Sequence, residues 1–504
     1  MNLYSLLASR FPAAPDAPCL ILPDGRRVSY GELERRSAQY AHLLVETGLA
    51  PGDRVAAQVE KSAEALLLYL GCLRAGCVFL PLNPAYTRSE MAYFLDDAQP
   101  GLFVCAPERF EEAQELAWAC RLPEVHNLGV DGAGSLSATA ARMPTDFAVI
   151  ARDDADPAAL IYTSGTTGRS KGAVLSHRNL AVNALTLRDY WGFRPDDTLL
   201  HMLPIFHVHG LFIATHCMLL NGGPMLFEPK FDAARALRLL PEATVFMGVP
   251  TYYTRLLQEK GLTPDAAARM RLFISGSAPL LPETFAAFRA RTGHAILERY
   301  GMSEGGMFAS NPLDGERRAG TVGLPLPGTE LRVVDDAEQP LPPGAIGQVQ
   351  ARGDNIFAGY WRMPEKTRQA FTPDGFFRTG DLGRFDTDGY LALVGRSTDL
   401  IISGGLNVYP KEIEEIIDAL PGVAESAVIG LPHPDFGEAV TAVVVRERNG
   451  DRIAEPLSAE TLIAAMKGRI AGFKLPKNVF FVDDLPRNAM GKVQKNLLRQ
   501  RFSS

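Results

Sequence analysis

A run of glycine, serine and threonine residues that ends in a single lysine is the segment of this sequence best suited to chemistry. It spans residues 162–172 and reads Tyr-Thr-Ser-Gly-Thr-Thr-Gly-Arg-Ser-Lys-Gly, directly after the apolar run 158–161. Glycines allow backbone N–H groups to turn toward an anion, the hydroxyl groups add neutral donors, and Lys171 supplies a positive charge. The pattern predicts a phosphate-binding loop whose members are Thr163, Ser164, Gly165, Thr166, Thr167, Gly168 and Lys171. A surface linker has a similar composition, so the loop alone leaves that alternative open.

Four further short motifs follow along the chain, each built from glycine and charged or hydroxyl residues. They are Tyr300-Gly301-Met302-Ser303-Glu304, Thr379-Gly380-Asp381, Gly395-Arg396 and the run from Pro486 to Lys492. In this order and spacing, the set resembles the acyl-adenylate-forming superfamily of acyl-CoA synthetases, adenylation domains and luciferases. The resemblance covers nearly the whole chain. It implies an enzyme that uses ATP to activate a carboxylic acid as an adenylate and then passes the acyl group to a thiol.

The resemblance places the nucleotide contacts in several loops. Backbone atoms of Ser277, Ala278 and Pro279 follow a predicted strand and can meet the edge of adenine. Glu298, Arg299 and Tyr300 are assigned to stacking on the face of adenine. The residues that follow them, Gly301, Met302 and Ser303, are also assigned to nucleotide binding. Asp381 can accept both ribose hydroxyls, and Arg396 completes the ribose and phosphate contacts. Taken singly, Asp381 could also be an acidic residue of a turn and Arg396 a basic residue of the surface, neither of them a ligand.

The resemblance also assigns residues to the two reaction steps. Glu304 suits a Mg²⁺ ion that takes one or two protein carboxylates beside phosphate oxygens, and Lys492 is assigned to the adenylation transition state. Without their motifs, both would read as solvated surface charges. For the second step, a C-terminal domain is expected to rotate and present Gly404 and Gly405 to the pantetheine arm of coenzyme A. The pivot is commonly Asp or Lys in the family and is Thr398 here, so the electrostatics of the hinge stay open.

Two histidines and one arginine bear on the choice of acid. His207 and His209 lie in one stretch beside the expected carboxylate site, and Arg255 follows a predicted strand end. An apolar fatty acid would gain nothing from them, whereas a second carboxylate would satisfy a buried arginine. These stretches resemble malonyl-CoA synthetases (malonate:CoA ligases), which implies malonate as substrate, His207 as a catalytic residue and Met302 as a limit on pocket size. Arg255 is equally compatible with a salt-bridged residue on a helix surface.

Three alternatives share part of this evidence. One is an acyl-CoA ligase for another small acid, such as methylmalonate or a monocarboxylate. Another is a stand-alone adenylation protein that loads an acyl-carrier protein. The third, a nucleotide-binding protein without enzymatic activity, is disfavoured because all the charged motif residues occur together.

The elements that must position these residues alternate between helices and strands, which predicts an α/β fold with largely parallel strands. A capping box at Ser29–Glu32 predicts a helix that runs toward Gly48. We expect a large N-terminal nucleotide- and acid-binding domain of layered helices and sheets over residues 1–395, a hinge at 396–398, and a small mobile α+β lid over 399–504.

Composition narrows the class of protein. The chain has 504 residues, 46% of them hydrophobic and 22% charged, which is enough to bury a sizeable core in more than one domain. A net charge of −7 without a long basic run argues against nucleic acid as a partner. No segment approaches the ~20 apolar residues of a membrane span, and the six cysteines show no metal-type spacing. We therefore expect a cytoplasmic protein whose partners are the small molecules malonate, ATP and coenzyme A.

Overall fold

The computed structural model describes residues 1–163, 170–403, 406–433, 436–449, 452–453, 457–488 and 491–503. Outside this part of the chain lie seven residues with predicted roles, namely Ser164, Gly165, Thr166, Thr167, Gly168, Gly404 and Gly405. The chain divides into two compact units. One comprises Met1–Glu330 with Ala351–Phe377, and the other comprises Leu331–Gln350 with Arg378–Ser504.

Two large sheets form the framework of the first unit. Within the described residues one sheet has nine strands, in spatial order Leu324–Pro325, Gly306–Ser310, Leu297–Met302, Leu272–Ser275, Val245–Gly248, Leu199–His201, Met225–Phe227, Pro18–Ile21 and Arg27–Ser29. The other described sheet has seven, in the order Gly359–Tyr360, Lys171–Ser176, Pro157–Thr163, Val78–Pro81, Arg54–Gln58, Leu102–Cys105 and Val125–Asn127. The central strands pair in parallel, and the edge strands pair antiparallel except Val125–Asn127, which is parallel to Leu102–Cys105. Loops that follow neighbouring parallel strands therefore meet at one edge of each sheet.

Helices connect these strands. They are Leu3–Ala8, Tyr30–Glu46, Ala63–Ala75, Arg88–Ala98, Phe110–Cys120, Ser135–Ala140, His177–Tyr190, His216–Asn221, Ala233–Leu239, Pro250–Gln258, Pro282–Thr292 and Pro364–Ala370, with 3-10 turns at Pro107–Arg109 and Leu240–Glu242 and a π-helix at His209–Thr215. The predicted start at Ser29 is present, because its side chain accepts a hydrogen bond from the backbone N–H of Glu32.

An aromatic core holds two of the strands that lead to the site. Phe246 and Phe273 lie on the adjacent strands Val245–Gly248 and Leu272–Ser275, and both contact the buried ring of Tyr253. Edge-to-face packing of such rings adds to the burial of their apolar surface. The loops that begin at residues 249 and 276 therefore start from rigid strand ends.

The second unit has a smaller sheet-based architecture. A four-stranded sheet, counted over described residues, has most of its residues in this unit and runs in the order Thr329–Val334, Gly347–Gly353, Phe377–Phe385 and Leu391–Arg396. A further described sheet has the order Leu406–Val408, Ile401–Ser403, Gly437–Arg446 and Val423–His433, with Asn478–Val482 parallel to Gly437–Arg446, and Arg448–Asn449 pairs with Arg452–Ile453. The helices of this unit are Pro410–Asp418, Ala459–Met466 and Lys495–Phe502, with 3-10 turns at Ser397–Asp399 and Gly472–Lys474.

The predicted α/β class is confirmed, as is the combination of a large N-terminal part with a smaller α+β C-terminal part. Residues 331–350 and 378–395 group with the C-terminal unit. The domain boundary near 395, the hinge at 396–398 and the motion of the lid stay predictions. No helix in the described part of the chain is long and apolar enough to cross a membrane.

Candidate active site

Two histidines, His207 and His209, lie together after the strand Leu199–His201. The backbone N–H of His209 donates to Nδ1 of His207 over 3.2 Å, so the remaining ring proton of a neutral His207 is on Nε2. Nδ1 of the buried His209 is 3.3 Å from Oγ of Ser277. Burial, followed by the positive charge of Arg299, lowers the pKa of His207 to about 4 and holds that of His209 well below its usual range. Both imidazoles are therefore neutral at pH 7.

Arg299 is a buried arginine on the strand Leu297–Met302, with 3% of its surface exposed. Among the described residues, its Nε and Nη2 have no hydrogen-bond partner. A Cβ at position 276 would overlap the guanidinium, so Gly276 leaves the space that this group occupies. Burial lowers the pKa of Arg299 to about 9, while Tyr253 and Glu298 act in the opposite direction. A desolvated cation with free donors beside two neutral histidines is suited to bind an anion.

Arg255, the residue predicted to contact the distal carboxylate, has a different environment. It lies on the helix Pro250–Gln258, where Tyr253 faces the core and Arg255 is exposed. The prediction assumed a buried arginine that needs an anionic partner, and the structure shows that burial at position 299. Helical geometry explains the difference, because residues two positions apart point to different sides of a helix.

Glu304 lies where the predicted phosphate loop begins. It is buried in the turn between the strands Leu297–Met302 and Gly306–Ser310, and its Oε1 accepts from Oγ1 of Thr163 over 3.4 Å and from the hydroxyl of Tyr360 over 3.2 Å. Lys171, at the other end of the loop, has its Nζ 5.0 Å from the centre of the Tyr360 ring. One carboxylate beside a hydroxyl oxygen fits a Mg²⁺ ion that takes its other ligands from phosphates and water. Tyr360 was missed by the sequence reading, because it lies on a distant segment without a motif.

Four further residues predicted to contact the nucleotide lie on or directly after two paired strands. Ser277, Ala278 and Pro279 follow Leu272–Ser275, and Glu298 lies on Leu297–Met302. Ser277 has a φ of +73°, a left-handed conformation that is uncommon for a non-glycine residue and is frequent at functional sites. Ala278 is half-buried and Pro279 is exposed, while Oε1 of Glu298 accepts from the next backbone N–H, that of Leu280, over 2.9 Å.

The motif that ends at Glu304 is tightly packed at its start. Tyr300 is buried against Phe308, with ring centres 5.5 Å apart. A Cβ at Gly301 would overlap the backbone of the neighbouring strand, whereas Met302 and Ser303 are half-buried.

In the second unit, three predicted residues come together. Nε of Arg396 is 2.7 Å from Oδ1 of Asp381, and the two residues are register partners on antiparallel strands. The side chain of Lys492 is exposed, yet partial desolvation, followed by the positive charge of Arg396, lowers its pKa. The carboxylates of Asp381 and Asp399 act in the opposite direction. The predicted ribose ligands and the predicted catalytic lysine thus share one electrostatic environment.

The segment that carries Lys492 is held by side chains of its own motif. The backbone N–H of Lys492 donates to Oδ1 of Asn488 over 3.0 Å, and the N–H of Asn488 donates back to the carbonyl of Lys492 over 2.9 Å. Arg487 donates to the carbonyl of Gly491 over 2.6 Å and forms an ion pair with Glu425. Arg487 is therefore engaged by contacts within its own unit.

Comparisons with known proteins agree with the motifs. The chain matches the family of AMP-binding enzymes over residues 8–361 and the C-terminal domain of AMP-binding enzymes over residues 412–492. The crystal structure of ATP-bound MatB from Rhodopseudomonas palustris is 53% identical, with a TM-score of 0.97 over 100% of this chain and 99% of that one.

Two curated relatives add information on the acid. A malonate–CoA ligase from Arabidopsis thaliana is 34% identical over 96% of this chain and 86% of its own. A sulfoacetate–CoA ligase from Cupriavidus necator is also 34% identical, over 98% of this chain and 96% of its own. Motifs, fold and sequence similarity lead to one conclusion: the chain belongs to the family of AMP-binding enzymes, within the adenylate-forming superfamily that its motifs resemble.

Proposed function

We propose that this protein is a malonate–CoA ligase that converts malonate, ATP and coenzyme A into malonyl-CoA, AMP and pyrophosphate. In the first step, a carboxylate oxygen of malonate attacks the α-phosphorus of ATP, and the bond to pyrophosphate breaks. In the second, the thiolate of coenzyme A attacks the acyl carbon of malonyl-adenylate, and AMP leaves. The observation that carries this proposal is the buried guanidinium of Arg299, whose Nε and Nη2 have no hydrogen-bond partner among the described residues.

The acid-binding role follows from charge. Malonate brings a second carboxylate that takes no part in the reaction, and burying it is costly unless a cation meets it. Arg299 supplies that cation, while His207 and His209 add polar contacts without adding positive charge because both are neutral. The sulfoacetate relative is consistent with this view, since sulfoacetate also carries a second anionic group. The sequence had assigned Arg299 to the adenine face, and its position beside the histidines favours the acid instead.

For adenylation, we assign the phosphate contacts to the loop from Thr163 to Lys171 and the metal to Glu304. Mg²⁺, when bound, neutralises negative charge on the phosphate oxygens. The hydroxyl groups of Thr163 and Tyr360 orient the Glu304 carboxylate, each by one hydrogen bond. Lys171 adds a positive charge that favours the departing pyrophosphate.

In the second unit, Asp381 accepts the ribose hydroxyls, with its carboxylate oriented by Arg396. Lys492 stabilises the charge that develops as the acid attacks the α-phosphate. For thioester formation, we propose that the C-terminal domain rotates about the predicted hinge at 396–398. The pantetheine arm of coenzyme A then reaches the adenylate past Gly404 and Gly405. Location in the cytoplasm stays a prediction from the sequence.

An acid panel tests this function. Purified protein is incubated with ATP, Mg²⁺ and malonate, methylmalonate, sulfoacetate, acetate or propionate, with and without coenzyme A, and AMP release is measured. We expect the highest kcat/KM with malonate and a strong dependence of turnover on coenzyme A. Preference for a monocarboxylic acid would refute malonate as the substrate. Efficient turnover only with an acyl-carrier protein would refute coenzyme A as the acceptor.

A further inference from the structure

Lys61 is a buried lysine that none of the steps above uses. It lies between the strand Arg54–Gln58 and the helix Ala63–Ala75, and 6% of its surface is exposed. Its Nζ is 2.8 Å from Nδ1 of His201 and 2.8 Å from the carbonyl oxygen of the same residue. It also lies 4.2 Å from the centre of the Phe227 ring. A lysine is rarely buried without a specific partner, so these contacts require an explanation beyond packing.

The proton positions along this chain of contacts are fixed by chemistry. Nε2 of His201 is 3.1 Å from the carbonyl oxygen of Gly210, which can only accept, so this nitrogen carries the ring proton. Nδ1 of His201 is then the acceptor for Lys61. Burial, followed by the positive charge of Lys61, holds the pKa of His201 well below its usual range, so the ring stays neutral.

The contacts converge on an unusual helix. Gly210 is the second residue of the π-helix His209–Thr215, and its carbonyl also accepts from Oγ1 of Thr215 over 2.9 Å. A Cβ at Gly210 would overlap the carbonyl oxygen of Pro204, so the helix packs directly against the preceding backbone. Single-turn π-helices occur frequently at functional sites. The first residue of this one is His209, whose ring faces Ser277.

We propose that Lys61, acting through His201, positions His209 in the acid-binding site by fixing the start of the π-helix. The proposal rests on the proposed function, because His209 has a role only if an acid binds beside it. Lys61 itself touches His201 and the ring of Phe227, and its effect on the site passes through the carbonyl of Gly210. Lys61 is therefore a positioning residue.

The test is a comparison of Michaelis constants in full-length variants. Lys61→Met keeps the length of the side chain and removes its donors, and Thr215→Val removes the second contact to Gly210 with little change of shape. We expect the KM for malonate to rise ~10-fold in Lys61→Met, which loses the hydrogen bonds that hold His201 against Gly210, and to rise less in Thr215→Val, which loses one hydrogen bond to Gly210. The KM for ATP should stay within ~2-fold in both variants.

Arg74→Met is the matched control, because Arg74 is another buried cation of this unit but donates to Tyr4 and the carbonyl of Glu34. It should lower Tm and leave the ratio of the two KM values unchanged. The proposal is overturned if the malonate KM of both Lys61→Met and Thr215→Val stays within ~2-fold of wild type, or if ATP and malonate are affected equally. Absence of malonate turnover in the wild type would instead refute the proposed function. The same comparison would then be made with the acid that the wild type uses.

Discussion

Replacing Arg299 by methionine separates a substrate contact from a structural arginine. Methionine fills a similar volume without a charge, so the variant leaves the distal carboxylate of malonate buried without a cation. Loss of a charged hydrogen-bonded partner costs about 3 kcal/mol, and each 1.4 kcal/mol corresponds to about tenfold. We therefore expect Arg299→Met to reduce kcat/KM for malonate by ~10²-fold. The value for acetate should change much less, because acetate has no second carboxylate to satisfy.

Stability provides an internal check on this prediction. The pKa of Arg299 is lowered to about 9 by burial, so at any pH below that value the folded protein carries the cost of a desolvated cation. Removing the charge should leave Tm unchanged or raise it. A steady-state assay with both acids and a thermal melt of the same preparation measure both quantities.

Arg255→Met is the matched control, because it makes the same chemical change on an exposed helix face. It should alter neither acid selectivity nor Tm appreciably. Equal losses for malonate and acetate in Arg299→Met, together with a lower Tm, would show that Arg299 is structural. A selective loss of malonate in Arg255→Met would restore the assignment made from the sequence.

Three further predictions concern the rest of the site. Lys492→Ala should slow malonyl-adenylate formation by ~10²-fold or more and leave thioester formation from supplied malonyl-adenylate nearly unchanged, whereas equal losses in the two half-reactions would contradict its role. Glu304→Gln keeps the shape of the side chain but weakens a metal ligand, so saturation should need a higher Mg²⁺ concentration; an unchanged Mg²⁺ titration would exclude Glu304 as the ligand. Burial lowers the pKa of His177 to about 4, of His207 to about 4 and of His216 to about 3, so the unfolded chain binds more protons below pH 6.5. Stability should therefore decrease steadily from pH 6.5 to pH 4, and a flat Tm over this range would refute these pKa shifts.

Local sequence signals predicted much of the framework. The helix Tyr30–Glu46 begins where its capping signal places it, and the apolar run 158–161 lies in the strand Pro157–Thr163 that precedes the phosphate loop. These features depend on neighbours within a few residues, so their physical causes are visible in the sequence. The order of the motifs also indicated the family. Residues of three motifs lie on strands, namely 300–302 on Leu297–Met302, 379–381 on Phe377–Phe385 and 395–396 on Leu391–Arg396.

Burial of individual charged side chains could not be predicted in the same way. Arg255 lies on a helix that follows a strand, and Arg299 lies within a strand. Only the packing of that helix and of that sheet decides which of the two side chains is buried. Lys61 and His201 are 140 positions apart, so no local pattern relates them. The charged pair Glu298 and Arg299, which directly follows the apolar run Ala295-Ile296-Leu297, is a signal that could have indicated the buried cation.

Transfer of labelled oxygen is the most direct test of the central claim, which is that malonate is activated as an adenylate. Malonate labelled with ¹⁸O in its carboxylates is turned over with ATP and coenzyme A, and the AMP is analysed by mass spectrometry. Attack of a carboxylate oxygen on the α-phosphorus leaves that oxygen on phosphorus when the thiol displaces AMP, so we predict one ¹⁸O atom in each AMP formed. Unlabelled AMP, or ¹⁸O in inorganic phosphate with release of ADP, would contradict the account.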